Sequence, residues 1–146
     1  MRSVVKYYSF MMAATILISI SCRGQHNNSE IESALKTYDR LIKKMDADSI
    51  AMLYAPDGDL GNTAHGRDSI RKFLSSFKNV SVLYVASVPG TIKISQDTAM
   101  QTGRYKQIAL VNNKDTLNLG GTFIARWIWI KAEGWRIKRM ETNPDK

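Results

Sequence analysis

LNLGGTFIARWIWIKAEGWRIKRM, spanning Leu117–Met140, reads as two long strands joined at Glu133-Gly134. It carries all three tryptophans of the chain. A curved sheet over a core accounts for so much aromatic mass in one place. On the first strand Phe123, Ala125, Trp127 and Trp129 alternate onto one face, and Thr122, Ile124, Arg126, Ile128 and Ile130 onto the other. Both faces are largely apolar, so one covers helices and the other meets another sheet face or a second subunit. After the turn, Trp135, Ile137 and Arg139 alternate with Arg136, Lys138 and Met140. Gly134 supplies the positive φ of a tight hairpin. Gly120-Gly121 marks a bulge or a sharp bend; the plain alternative is a loop between two separate strands.

Outward from this hairpin, the strand period extends back to Val80. Val80–Val88 is rich in β-branched and aromatic residues, and Pro89-Gly90 is expected to turn the chain. Thr91–Ser95, Thr98–Val111 and Leu117–Ile130 follow, with Asn112–Asp115 as a polar hairpin loop. Before Val80 the period is helical. Ser29-Glu30-Ile31-Glu32 matches a capping box, and Ile31, Ala34, Leu35, Tyr38, Leu41, Ile42 and Met45 recur at helical spacing. Asp46 or Asp48 caps a second short helix bearing Ile50, Leu53 and Tyr54, which Pro56 ends. Asp59–His65 reads as a short strand or loop. A third helix follows Gly66, with Ile70, Phe73, Leu74 and Phe77 on one stripe. Helices first and long antiparallel strands afterwards make the class α+β.

The chain has 146 residues, enough for one domain with a real core. Lys and Arg outnumber Asp and Glu by 21 to 13, for a net charge of +8. These charges are spread along the chain rather than clustered with aromatics, so a solvated basic surface is expected and a nucleic-acid partner is not. Residues 1–21 read as a leader. Arg2 and Lys6 form a basic start, and Phe10–Ile20 is an apolar run shorter than the roughly 20 residues a spanning helix needs. Cys22, the only cysteine, follows at once and has no partner for an internal disulfide. This arrangement resembles the lipobox of bacterial lipoproteins, although Ser19 departs from the usual leucine. It implies acylation of Cys22, attachment to a membrane through a lipid anchor and a place in the bacterial cell envelope, periplasm or outer membrane. The competing readings are an ordinary signal peptide or an uncleaved anchor. Residues 22–28 then form the lipidated cysteine and a polar tether in which His26 is solvated, and 29–146 form the domain.

The phrases MDADSIAMLYAPDG and HGRDSIRKFL, followed by a sheet ending in WIWIKAEGWRIKRM, resemble the nuclear transport factor 2-like superfamily. Within it they are similar to the SnoaL-like and ketosteroid-isomerase-like domains. The resemblance covers Ser29 to Thr142. It implies a cone-shaped curved antiparallel sheet wrapped around N-terminal helices, an apolar pocket at one end, and in many members a homodimer through the sheet. The fold hosts isomerases, dehydratases, cyclases and binding proteins, so it does not specify an activity. Tyr38 and Asp46 keep the spacing of the isomerase's oxyanion-hole tyrosine and second-helix aspartate. The base position falls on Asn62, whose amide does not titrate near neutral pH. Isomerase chemistry of that kind is therefore not expected.

Other candidates for chemistry are Tyr38, Asp59 and His65. His65 is the one histidine expected in the folded domain, and it serves either as an acid or base or as a polar loop residue. Tyr38, Tyr54, His65, Tyr105, Arg126, Trp127, Trp129 and Met140 are the candidate pocket residues. Each has a packing alternative, and strand parity alone does not choose the face of Arg126. No metal-ligand constellation or phosphate loop is present, so neither metal nor cofactor is expected. The leading expectation is a lipoprotein domain that binds a small apolar or amphipathic ligand. Its rivals are an acid–base enzyme of the same fold and an interaction module docking through the sheet.

Overall fold

A computed structural model describes residues 25–146. The expected leader and Cys22 lie outside the described residues. Three helices, α1 (Asn28–Lys44), α2 (Ala47–Leu53) and α3 (Gly66–Ser75), pack on one curved six-stranded sheet. The strands are β1 (Tyr54–Leu60), β2 (Ala64–His65), β3 (Val80–Ser95), β4 (Thr98–Val111), β5 (Asp115–Ile130) and β6 (Gly134–Pro144). Their order across the sheet is β2-β1-β6-β5-β4-β3, and every pairing is antiparallel except that of β1 with β6. The class is α+β, as the order of helical and strand periods indicates.

The core lies between α1 and the inner sheet face. Phe123, Ala125 and Trp127 of β5 are buried there, with Ile137 and Trp135 of β6 and Ile31 and Leu35 of α1. This settles the face of the aromatic strand: Thr122 and Arg126 point outward and are exposed. Simple alternation fails on β6. The pairing of Arg126 with Arg139 shifts to Trp127 with Ile137, leaving Lys138 as an extra residue. This bulge brings Met140 back to the inner face with Trp135 and Ile137, and leaves Arg139 outside. Arg139 there bonds Asp59, Asn62 and Glu141.

Two expected breaks are continuous strand. Pro89-Gly90 does not turn the chain; β3 runs through it with a register shift between Pro89 and Ile92. Proline is tolerated because β3 is the sheet edge and the missing N–H breaks no ladder. Gly120-Gly121 also lies within one strand, without a register shift against β4. Gly121 is required by close approach: a Cβ there would sit 2.1 Å from the Asn143 carbonyl oxygen. The β4–β5 turn uses Asn112 and Asn113 at φ 52° and 53°, the positive values of a tight hairpin.

The start of the domain also differs from expectation. The cap of α1 is Asn27, whose side chain accepts from the Glu30 amide, not Ser29. Tyr54 begins β1 rather than completing α2. His26 is not solvated. Its ring packs tilted against Trp129 at 4.3 Å and edge-on against Trp135 at 4.8 Å between centroids, and its Nδ1 lies 2.9 Å from Glu30 Oε2. The same carboxylate oxygen accepts from the Trp135 indole at 2.8 Å. These bonds, that of Trp135 foremost, hold the Glu30 carboxyl below its usual range. The expected tether therefore ends before His26, because the Glu30 carboxylate and two indole rings reward packing over hydration.

Gly121→Ala is expected to cost about 1–3 kcal/mol, since backbone must move to admit the methyl group. Gly120→Ala, whose nearest neighbour would be the Tyr105 carbonyl oxygen at 3.4 Å, should stay within about 0.5 kcal/mol. Urea unfolding of both variants checks the contrast; equal losses would contradict it.

Candidate functional site

Between α1, α3 and the inner sheet face lies a cavity of about 370 Å³. Its floor is Phe123 and Met140, and α1 supplies Leu35, Tyr38, Asp39 and Ile42. From the strands come Val85, Ser87, Tyr105, Gln107 and Ala109. Three lining side chains are substantially exposed: Phe77 at 40 %, Leu117 at 45 % and Leu119 at 43 %. They place the mouth between the end of α3 and the β4–β5 hairpin. A groove of about 700 Å³ runs along the outer face past Tyr84, Val88 and Arg104, but it is a more open surface. The interior cavity is the less open of the two, and its volume lies in the usual range for small-molecule sites.

Of the eight expected pocket residues, Tyr38, Tyr105 and Met140 line this cavity. Tyr54 and Trp127 do not; they are buried behind it. Tyr54 lies edge-on to Tyr38 at 6.4 Å, and its hydroxyl has no hydrogen-bond partner among the described residues. Trp127 donates its indole N–H to the fully buried Gln101 Oε1 at 3.2 Å, which fixes the ring in the core. Trp129 belongs to the aromatic cluster around His26. Arg126 faces outward, away from the cavity.

The expected acid–base candidates separate in the same way. His65 is 74 % exposed and donates from Nδ1 to Asp59 Oδ1 at 2.7 Å. That bond, with Arg139 as a weaker neighbour, holds Asp59 below the usual carboxylate range. Neither residue lines the cavity. Asn62 accepts from Arg139 Nη2 at 2.6 Å and is exposed. Among the described residues, no group of three or more His, Cys, Asp or Glu could hold a metal ion.

Tyr38, the third acid–base candidate, does line the cavity, and so does a carboxylate that was not among the candidates, Asp39. It sits four residues after Leu35 and three before Ile42, on the apolar stripe of α1. An acid on that stripe is the signal the sequence carries for it. Asp39 accepts from the Ser87 amide through Oδ2 at 2.8 Å and from the Ser87 hydroxyl through Oδ1 at 2.7 Å. Burial raises its carboxyl above the ordinary range, and the Ser87 bonds offset part of that rise. Burial likewise raises the Tyr38 phenol. The cavity thus offers an acid held by one serine, two phenols, an amide and the Thr142 hydroxyl on otherwise apolar walls.

Because folding raises the Asp39 pKa, the folded state binds its proton more tightly than the unfolded state. Its stabilising effect is greatest below the unfolded value of about 3.9 and is lost as pH rises through the folded value. An asparagine keeps both Ser87 bonds, accepting from the amide and donating to the hydroxyl. Asp39→Asn should therefore gain stability relative to the parent as pH rises from about 4 to about 7. Urea midpoints at both values test this, and a gain in the opposite direction would refute the assignment.

The SnoaL-like domain family matches residues 26–141. No curated protein matches this sequence. Among solved structures, the chain is similar to a ketosteroid isomerase-like protein from Erwinia carotovora atroseptica SCRI1043, with TM-score 0.71, 18% identity and coverage of 81% of this chain and 95% of that one. It is similar to a nuclear transport factor 2-like superfamily protein from Salmonella enterica serovar Typhimurium LT2, with TM-score 0.68, 19% identity and coverage of 81% and 90%. A third is described as a putative scytalone dehydratase, from Novosphingobium aromaticivorans DSM 12444, with TM-score 0.66, 18% identity and coverage of 81% and 83%. At such identities these likenesses bear on fold alone. The helical order, the curved sheet around a cavity and the match over residues 26–141 agree, and the chain belongs to the SnoaL-like domain family.

Proposed function

We propose that this protein is a cell-envelope lipoprotein whose domain binds a small apolar or amphipathic molecule inside the cone. The observation that carries the binding reading is the cavity of about 370 Å³, lined mostly by apolar and aromatic side chains and open at one end. The few polar groups on its wall fix orientation, while the apolar remainder supplies affinity through burial. Support for the anchor comes from Cys22 directly after the apolar run of residues 10–20. Support for a homodimer comes from exposed Tyr84, Val88 and Met100 on the strands of the outer sheet face.

Native mass spectrometry of the full chain purified from its own host reads all three claims. The expected result is a dimer with an acyl modification at Cys22 and a retained small organic molecule. Cys22→Ala should lose the acyl mass, and Leu119→Trp, which adds bulk at the mouth, should lose the ligand. A chain that is always empty counts against ligand binding; an unmodified Cys22 counts against the anchor; a monomer counts against the pair.

Acid–base catalysis in the same cavity is the second reading, favoured by one observation: a carboxyl group, Asp39, stands on the apolar cavity wall, where burial shifts it upward in the direction that suits proton transfer. Its mark would be turnover of a cavity-bound substrate that Asp39→Asn abolishes without loss of folding. Turnover that survives this change would end it.

A further inference from the structure

We infer that the cavity is selective for hydrophobic amines: molecules with an apolar body and a protonated nitrogen that meets Asp39. This rests on the cavity being a binding site and names the class of ligand it takes. The lining contains no lysine, arginine or histidine, and Asp39 is its one acid. Both partners of that carboxylate belong to Ser87, and neither is a cation. A carboxylate accepts at about four lone-pair positions, so the two Ser87 bonds leave it able to take more.

An acid in apolar surroundings is costly when ionised and uncompensated. The neighbours on the wall do not supply the missing charge. Tyr38, Tyr105 and Gln107 are neutral groups able to donate or accept. The lysines next in sequence to lining residues, Lys36, Lys43, Lys44, Lys72, Lys78 and Lys106, and Arg40 beside Asp39 are all exposed to water, where their fields are screened. A ligand ammonium would compensate the acid, and its charge-assisted bond is stronger than one from a neutral hydroxyl. A ligand carboxylate would bring a second negative charge into the same apolar space and is disfavoured. The surface is basic while the cavity wall is acidic, so selectivity for amines comes from the site and not from the net charge of +8.

The test uses three probes of one shape: 1-naphthylmethylamine, 1-naphthylmethanol and 1-naphthoate. Each is titrated calorimetrically at pH 7 into the full chain in phosphatidylcholine nanodiscs, with empty nanodiscs as the blank. The amine should bind on the order of 10-fold more tightly than the alcohol, and the carboxylate most weakly. In Asp39→Asn the amine and alcohol should bind within about threefold of each other, because the amide removes the charge and keeps the Ser87 bonds. An alcohol or carboxylate that binds as well as the amine overturns the inference and leaves the cavity reading intact. So does an amine preference that persists in Asp39→Asn. If none of the three binds, both the inference and the reading beneath it fall. The parent chain's own selectivity decides the matter should the variant not fold.

Discussion

Across β5 and β6, the pairs Arg126–Arg139 and Trp127–Ile137 leave Lys138 unmatched, and what the sheet encloses depends on that mismatch. A regular β6 would place Trp135, Ile137 and Arg139 on one face. The extra residue lets Trp135, Ile137 and Met140 share the inner face instead. An arginine in that position would face apolar side chains with no acid on the adjoining wall except Asp39. On the outside it bonds Asp59, Asn62 and Glu141, and Lys138 pairs with Asp57 at 2.6 Å. The bulge thus keeps Met140 on the cavity wall and ties β6 to β1 with charged groups in water. Bulges also increase local twist, which suits a sheet that must close around helices.

The strong periodicities were legible. Thr98–Val111 is β4 at the expected bounds, and Asp46 caps α2 through the Ser49 amide. These features are local: alternation, propensity and a cap act over a few residues. What escaped was set by distant partners. The sidedness of Met140 needs the β5–β6 register, because a bulge has no mark in residue type here. Gly121 looked like a bend, yet its reason is the Asn143 carbonyl more than twenty residues away. His26 looked solvated until Trp129 and Trp135 supplied aromatic contacts from the far end of the chain.

The candidate site shows the same division. Tyr38, Tyr105 and Met140 could be picked out as pocket residues because aromatic and flexible apolar side chains suit a cavity wall. Trp127 has the same chemistry but serves the core, held by Gln101. Arg126 differs from Tyr105 by strand parity, which the sequence left open until one face was buried. Asp39 was hidden by its own setting. Ser87 lies 48 positions away, and it is this contact, through both backbone and hydroxyl, that holds an acid on an apolar stripe.

The edge strand β3 presents sixteen residues along the rim of the sheet, many of them β-branched or aromatic. An unbroken ribbon of that length would be a template for strand after strand of other chains. Pro89 withholds one donor, and the register shifts at Val82/Tyr84 and Pro89/Ile92 interrupt the even spacing of the rest. A stacking neighbour finds no long run of matched N–H and C=O groups on which to grow a fibril. The dipeptide that leaves the chain's direction unchanged serves instead as a guard against amyloid-like growth.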